Sequence, residues 1–489
     1  MTDTAFSLKS ALASKLSIKP AVTQDPRTFG SKTKGVILVC VGLCASTAGF
    51  ASTIYFPGLP YITADLNAPS IATTLTAALY VLMMGIAPVF WAIMSDNWQV
   101  RRIMLFASMV VFAVSSLGCA FINNIWGLVV LRCVQAVGSS CGQSVGAGVI
   151  SDCYPIEQRG AAFAKFFLGL FLGPLVGPIV GGFLIMSDLS WRATFWFCVA
   201  FAGAIGTTIF FFFPETFRDE LKWNDDKTAI TSYDELYQEP AQDLNKEENT
   251  VNQSETVIEE EPKKRHQHPL AAFILLKHPF MMIASLVSGI AFGCMFAVET
   301  IIPDLYEEYY GFNSWQTGLS YLGAGIGNLI GSILGGALSD KLLLRSRRLR
   351  GGQAVCEDRL TANVWPACLL IPFGLLLFGW SVQGGFTFWA PIVAFGIQTF
   401  GMNQIMTSSS AYIVDANPGS GASATASANL VRMVLACVLT LIANPLVSAI
   451  GVGWTCVFLT ALSVVAFILL VILKIWGQKL RNWSGFTDE

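Results

Sequence analysis

Twelve stretches of about twenty residues each carry almost no charge, and that pattern constrains this chain more than any other feature. They lie at roughly 36–56, 73–94, 103–123, 125–150, 166–186 and 193–213. After a long polar break they resume at 279–302, 317–338, 364–381, 387–413, 426–449 and 454–473. A bilayer's hydrocarbon core is about 30 Å thick, and an α-helix needs about 20 residues to cross it. Lipid offers no partner to a bare backbone N–H or C=O, so runs of this length are read as helices. Only Arg132, Glu299 and Arg432 place a charge inside them. The expected fold is all-α and integral to a membrane, with twelve transmembrane helices.

Composition agrees where it is needed. Charged residues are 13% of the 489, about half the share in soluble domains. The twelve cysteines lie mostly inside apolar runs, which is no disulfide framework, and the three histidines cluster apart from them before the seventh run. No metal site is expected.

The distribution of charge gives orientation. Cytoplasmic loops keep an excess of Lys and Arg beside helix ends. With the N-terminus inside, every lysine and arginine except Arg132, Arg192 and Arg432 falls in a cytoplasmic segment, and of these three only Arg192 lies in an outward loop. Both termini are therefore expected in the cytoplasm. The segments read as 1–35, N-terminal tail; 36–216, six spans; 217–278, charged linker; 279–475, six spans; and 476–489, C-terminal tail. The linker runs from Glu247 and Glu248 through Glu255 and Glu259–Glu261 to Lys263, Lys264 and Arg265. It cannot bury a core. A solvated joint is the plain reading and a regulated partner-binding loop the sharper one.

A repeat joins the halves. After the second span stand Asp96, Arg101 and Arg102; after the eighth stand Asp340, Lys341, Arg345, Arg347 and Arg348. Aspartate at a helix end beside arginine can latch neighbouring helices, although an ordinary positive-inside loop would look similar. The fifth span carries Gly173, Pro174, Gly177, Pro178, Gly181 and Gly182. Glycines four apart let helix backbones approach, and the prolines remove backbone donors, which only protein or a cavity can compensate.

Polar residues inside the spans are the site candidates. Arg132 is expected to face a polar cavity with Gln135, Gln143 or Ser144 as partners, tuning a carboxylate or holding an anionic group. Arg432 supports the same argument, but lies nearer the cytosolic end and could snorkel to it. Glu299 is either a proton carrier or an interface residue near the outer end of its span, with Pro303 and Asp304 marking water close by. Further cavity candidates are Tyr55, Tyr80, Asn328, Gln398, Asn403, Gln404 and Asn429. Each could equally be a packing residue. No nucleophile, acid pair or cofactor loop stands at useful spacing, so no enzyme, cofactor or nucleic-acid partner is expected.

Together these motifs resemble the major facilitator superfamily, specifically the fungal drug:proton antiporter branch with twelve spans. The Gly173–Gly182 stretch is similar to that branch's antiporter motif, and the Arg132 segment to its fourth-helix motif with Ala136 in place of a glycine. The Asp96 loop resembles the superfamily's loop motif in degraded form, with Ala92, Gln99 and Val100 at departing positions. Tags at Ile54–Pro60, Pro214–Arg218 and Glu357–Leu360 agree. The resemblance implies two six-helix bundles related by a pseudo-twofold, a central cavity reached alternately from each side, and a monomer at the plasma membrane exporting small organic molecules against inward proton flow. It implies proton coupling for Arg132, bending of the fifth helix for its glycines and prolines, and a cytosolic gate for Asp96 with Arg101. With two arginines and few acids in the spans, a dedicated organic-acid or metabolite exporter is the alternative to drug efflux, and a non-transporting receptor of the same fold is a third reading.

Overall fold

The computed structural model describes residues 24–218, 274–350, 355–417 and 421–485. Most of the 217–278 linker and the first 23 residues of the N-terminal tail lie outside the described residues. Twelve long helices correspond to the twelve apolar runs: α1 (Ser31–Thr53), α2 (Ser70–Trp98), α3 (Arg102–Phe121), α4 (Ile125–Cys153), α5 (Ile156–Ile185), α6 (Arg192–Phe212), α7 (Pro279–Tyr310), α8 (Leu322–Leu349), α9 (Cys356–Gln383), α10 (Trp389–Asp415), α11 (Gly421–Ile450) and α12 (Val452–Trp483). Short helices Leu59–Asp65 and Ser314–Ser320 precede α2 and α8.

Eleven of these are long and apolar enough to cross a membrane. The one that falls short is α10. Its run was read as apolar, but Gln398, Asn403, Gln404 and Ser408–Ser410 dilute it, and most of those side chains are buried against neighbouring helices instead of facing lipid. Several helices outrun the expected spans: α12 continues through residue 483, well into the stretch assigned as a tail, and α7 runs 32 residues. In α9, Pro366 has no N–H to donate, and the ladder widens to a π turn over Pro366–Leu370 before recovering.

Packing repeats six helices on. In the first half α1 packs on α5 and α4, α2 on α4, and α3 on α4 and α6. In the second, α7 packs on α11 and α10, α8 on α10, and α9 on α10 and α12. Large apolar side chains such as Phe121, Trp126, Phe212, Ile333, Leu369 and Ile475 are exposed around the outside, as a lipid-facing surface requires. An even number of crossings puts the starts of α1 and α7 and the ends of α6 and α12 at one end of the bundle, here the near end.

At the far end the halves are joined. Ser314 Oγ donates to the Gly182 carbonyl at 3.1 Å, Asn444 Nδ2 to Thr74 Oγ1 at 3.1 Å, and the rings of Phe56 and Tyr321 stack 6.4 Å apart. Glycines make this closure possible. A Cβ on Gly182 would meet the Ser314 carbonyl oxygen at 2.5 Å and Gly318 Cα at 3.2 Å.

Candidate functional site

The fifth helix lies on the first through one glycine face. A Cβ at Gly169 would meet the Gly42 carbonyl oxygen at 3.0 Å, at Gly173 that of Ser46 at 2.5 Å, and at Gly177 that of Phe50 at 2.9 Å; at Gly181 it would overlap that of Ile54. Backbone touches backbone along the whole stripe. Pro174 and Pro178 lie within the continuous helix, Pro174 against Gly49 of α1 and the Pro178 carbonyl against Gly318. So α5 bears on α1 with one face and on the α7–α8 connection with the next.

Where α1 ends it carries Tyr55, and α2 carries Tyr80; the two rings enclose the Arg132 guanidinium of α4, each centroid 4.1 Å from Cζ. Arg132 is 1% exposed. Nη1 donates to the Ala51 carbonyl at 3.0 Å and to Gln135 Oε1 at 2.7 Å. Gln135 Nε2 donates onward to Ser116 Oγ at 2.7 Å. The tyrosines are themselves anchored, Tyr55 to Thr76 at 2.7 Å, Tyr80 to Ser139 at 2.8 Å and to the Ala48 carbonyl at 3.2 Å. Magnitudes explain why this charge is tolerated. Placing arginine at a bilayer centre costs about 2.5–3.5 kcal/mol on insertion scales, and a desolvated cation–π contact returns about 2 kcal/mol, so the two rings roughly offset it. Nε and Nη2 remain without a hydrogen bond among the described residues.

This arrangement corrects three expectations. The partners of Arg132 are Gln135 and a backbone carbonyl of α1, not Gln143 or Ser144: Gln143 lies a further two turns along α4 and is half-buried. Tyr55 and Tyr80 wall the arginine, with both rings fully buried. Glu299 is also buried, at 3% exposure, because α7 continues eleven residues past it to Tyr310 and carries Pro303 within the helix. The side chain is turned in from the bulk-solvent surface that Pro303 and Asp304 were expected to mark. The Glu299 carbonyl accepts from Tyr321 at 2.7 Å, and its Oε2 has no partner among the described residues.

The other candidates of the second half divide between two seams of α10. Asn403 Nδ2 donates to Asn328 Oδ1 of α8, and Gln404 packs beside Gly335 of the same helix. Gln398 faces α9 at Gly374. Both amide atoms of Gln398 and of Gln404 are buried without partners among the described residues. Asn429, half-buried on α11, presents its carbonyl to Gly85 of α2. Arg432 does not snorkel. It is 9% exposed, with Nη1 at 3.0 Å from Met406 Sδ, Cζ 5.8 Å from the Phe292 ring, and Gly289 of α7 against its backbone.

At the near end of the first half, Arg101 binds Asp96 at 2.6 Å and Asp152 at 2.9 Å, with Ser95 Oγ at 2.9 Å. Burial opposes its charge, but Asp152 and Asp96 outweigh this and raise its pKa above the ordinary arginine value. Glu215 accepts from the backbone N–H groups of Arg101 (2.8 Å), Arg102 (3.2 Å), Thr216 and Phe217. The Arg102 side chain donates to the Phe210 carbonyl at 2.8 Å. The latch therefore ties α2, α3, α4 and the end of α6 within one half. Asp152 was missed because only tertiary structure brings it to Arg101; Glu215 was visible in its tag without a role. Asp340, the counterpart of Asp96, lies in α8, but its side chain is outside the described residues. The second half has its own cluster: Glu357 with Arg481 (2.8 Å), Asp358 with Arg350 (2.6 Å), and Arg359 with Asp415 (2.5 Å).

Known proteins agree with this geometry. The model of the Major Facilitator Superfamily matches residues 41–441. A Fusarium protein named MFS transporter fsa7 is 31% identical over 95% of this chain and 88% of its own length. MFS antiporter QDR3 of Candida albicans is 26% identical over 95% of this chain and 81% of its own. Among solved structures, a bacterial homologue of the human lysosomal transporter Spinster, in an inward-facing and unoccupied conformation, superposes with a TM-score of 0.61 at 13% identity, covering 93% of this chain and 98% of that one. At that identity the likeness speaks to the fold.

Proposed function

The chain belongs to the major facilitator superfamily and is a multi-pass membrane transporter, and from that premise we propose that it is a proton-coupled antiporter exporting small organic compounds by alternating access. The observation that carries this reading is the contact of α5. Its glycine face is seated on α1 while Gly182 and the Pro178 carbonyl close on Ser314 and Gly318 across the halves. Close backbone packing of this kind lets helices meet and part with few side chains between them, and the joint stands at the far end, while the near-end ion pairs named among the described residues link helices of the same half. With the near end at the cytoplasm, as the basic residues suggest, a joint at the far end supports a cycle in which the halves part toward the inside.

In the proposed cycle Arg132 tunes the site electrostatically, since arginine does not release a proton near neutral pH. Glu299 is the buried carboxyl available to carry one. A plasma-membrane location with both termini inside follows from the same reading, and so does action as a monomer. The antiporter name of the Candida relative supports coupling.

The test is flux from proteoliposomes holding neutral, anionic and cationic organic dyes. An imposed pH gradient is expected to drive movement of at least one class. Flux that ignores the gradient means a uniporter, and no protein-dependent movement of any class means a receptor; either removes the proposal.

A further inference from the structure

Six of the described arginines are neutralised by carboxylates. Arg101, Arg192, Arg218, Arg350, Arg359 and Arg481 each lie within 3.2 Å of a carboxylate oxygen. Arg132 has no carboxylate, yet two tyrosine rings, an amide and a carbonyl fill its surroundings.

Arg432 has neither. Its one hydrogen-bond partner is the Met406 thioether, a weak acceptor. Its ring contact, Phe292 at 5.8 Å, stands at the limit of about 6 Å for a cation–π interaction. Nε is buried without a partner, and Nη2 bonds to no described residue. Glu299 does not compensate it, being seven residues beyond Phe292 on α7, about 10 Å along the axis at 1.5 Å per residue. Nor is the arginine at the very edge of the span: it is the seventh residue of the apolar run 426–449, about 9 Å into it at 1.5 Å per residue. A cation kept inside the bundle without a counter-charge is a functional group by default.

Its surroundings are apolar and adaptable. Met406 and the Phe292 ring, itself paired with Phe296 at 4.9 Å, suit a hydrophobic body of variable shape, methionine being unbranched and polarizable. We propose that Arg432, with Met406 and Phe292, forms the subsite for the anionic group of an organic anion whose remainder is apolar. The inference rests on the transporter reading and narrows its cargo: the missing counter-ion of Arg432 is the substrate.

The test is equilibrium binding to the full chain in neutral nanodiscs, with two probe sets: 4-phenylbutyrate and 1-naphthaleneacetate, each beside its amide and its amine. At least one carboxylate is expected to bind about tenfold more tightly than both uncharged and cationic partners. Arg432→Met should erase that preference and Arg432→Lys, which keeps the charge, should retain most of it. Arg432→Gln serves as second uncharged variant where Arg432→Met lowers yield. Carboxylates held no better than their amides, or a preference unchanged in both uncharged variants, would overturn the proposal. So would equal displacement by chloride, which marks a site for inorganic anions, or loss of binding when phosphatidylglycerol enters the disc, which marks a lipid headgroup site. Arg432-dependent binding without gradient-driven flux would keep the subsite and remove antiport; flux without the preference would do the reverse.

Discussion

The two halves solve one problem at the near end and different problems in the middle. In each, the start of the third helix is pinned to the end of the second, fourth and sixth: Arg101 to Asp96 and Asp152, with Glu215 on the adjoining amides, and in the second half Asp358 to Arg350, Arg359 to Asp415, and Glu357 to Arg481. The helix ends correspond, but only the tie toward the fourth helix keeps its sign, arginine on the third and aspartate on the fourth. The pair toward the second helix reverses its polarity, and the tie toward the sixth trades backbone amides for an arginine. The repeated architecture thus demands a tie at each place without specifying which partner carries the charge. The middle differs more. The first half encloses its arginine between two tyrosine rings 4.1 Å away, with a glutamine and a carbonyl as acceptors, whereas the second gives Arg432 a thioether and one ring at 5.8 Å. That asymmetry is what the proposed anion subsite at Arg432 builds on.

The largest effect should come from Glu357→Ala. It takes the carboxylate from Arg481, whose side chain is 3% exposed, and breaking a buried pair by removing one partner costs about 3–5 kcal/mol. Glu215→Ala removes an acceptor from backbone amides and should cost only about 1–3 kcal/mol. Thermal unfolding of the purified protein separates the two, and equal losses would mean that the sixth-helix ties are equivalent after all. Next comes Arg132→Ala. Two charge-assisted hydrogen bonds are worth roughly 3 kcal/mol together, so flux per reconstituted molecule should fall about 100-fold while the protein still reaches the membrane. Normal flux would remove Arg132 from the proposed cycle. The smallest effect belongs to Arg359→Ala, whose partner Asp415 is 36% exposed. An exposed pair contributes up to about 1 kcal/mol, and a loss matching Glu357→Ala would erase the distinction between buried and peripheral ties.

Much of the fold was legible because its cause is local. Whether twenty consecutive residues can cross a bilayer is written in those residues, and so is the spacing of Gly169, Gly173, Gly177 and Gly181 that frees one face of a helix. Even α10, whose polar content lowers its hydropathy, shows in the sequence as a long run without charge. The site was legible only as residue types. That Arg132 and Arg432 cost energy inside a membrane follows from the sequence; how each cost is met does not.

The sequence by itself determined the twelve long helices and the backbone-to-backbone face of α5, since these depend on hydropathy, charge and side-chain size along one segment. Only tertiary structure decided that Ala51, 81 residues from Arg132, is its acceptor, that Glu299 is buried, and that Glu357 meets Arg481 across 124 residues. Those outcomes depend on which helix faces which, and a polar group in a low-dielectric interior takes its partner from whatever the packing brings to it.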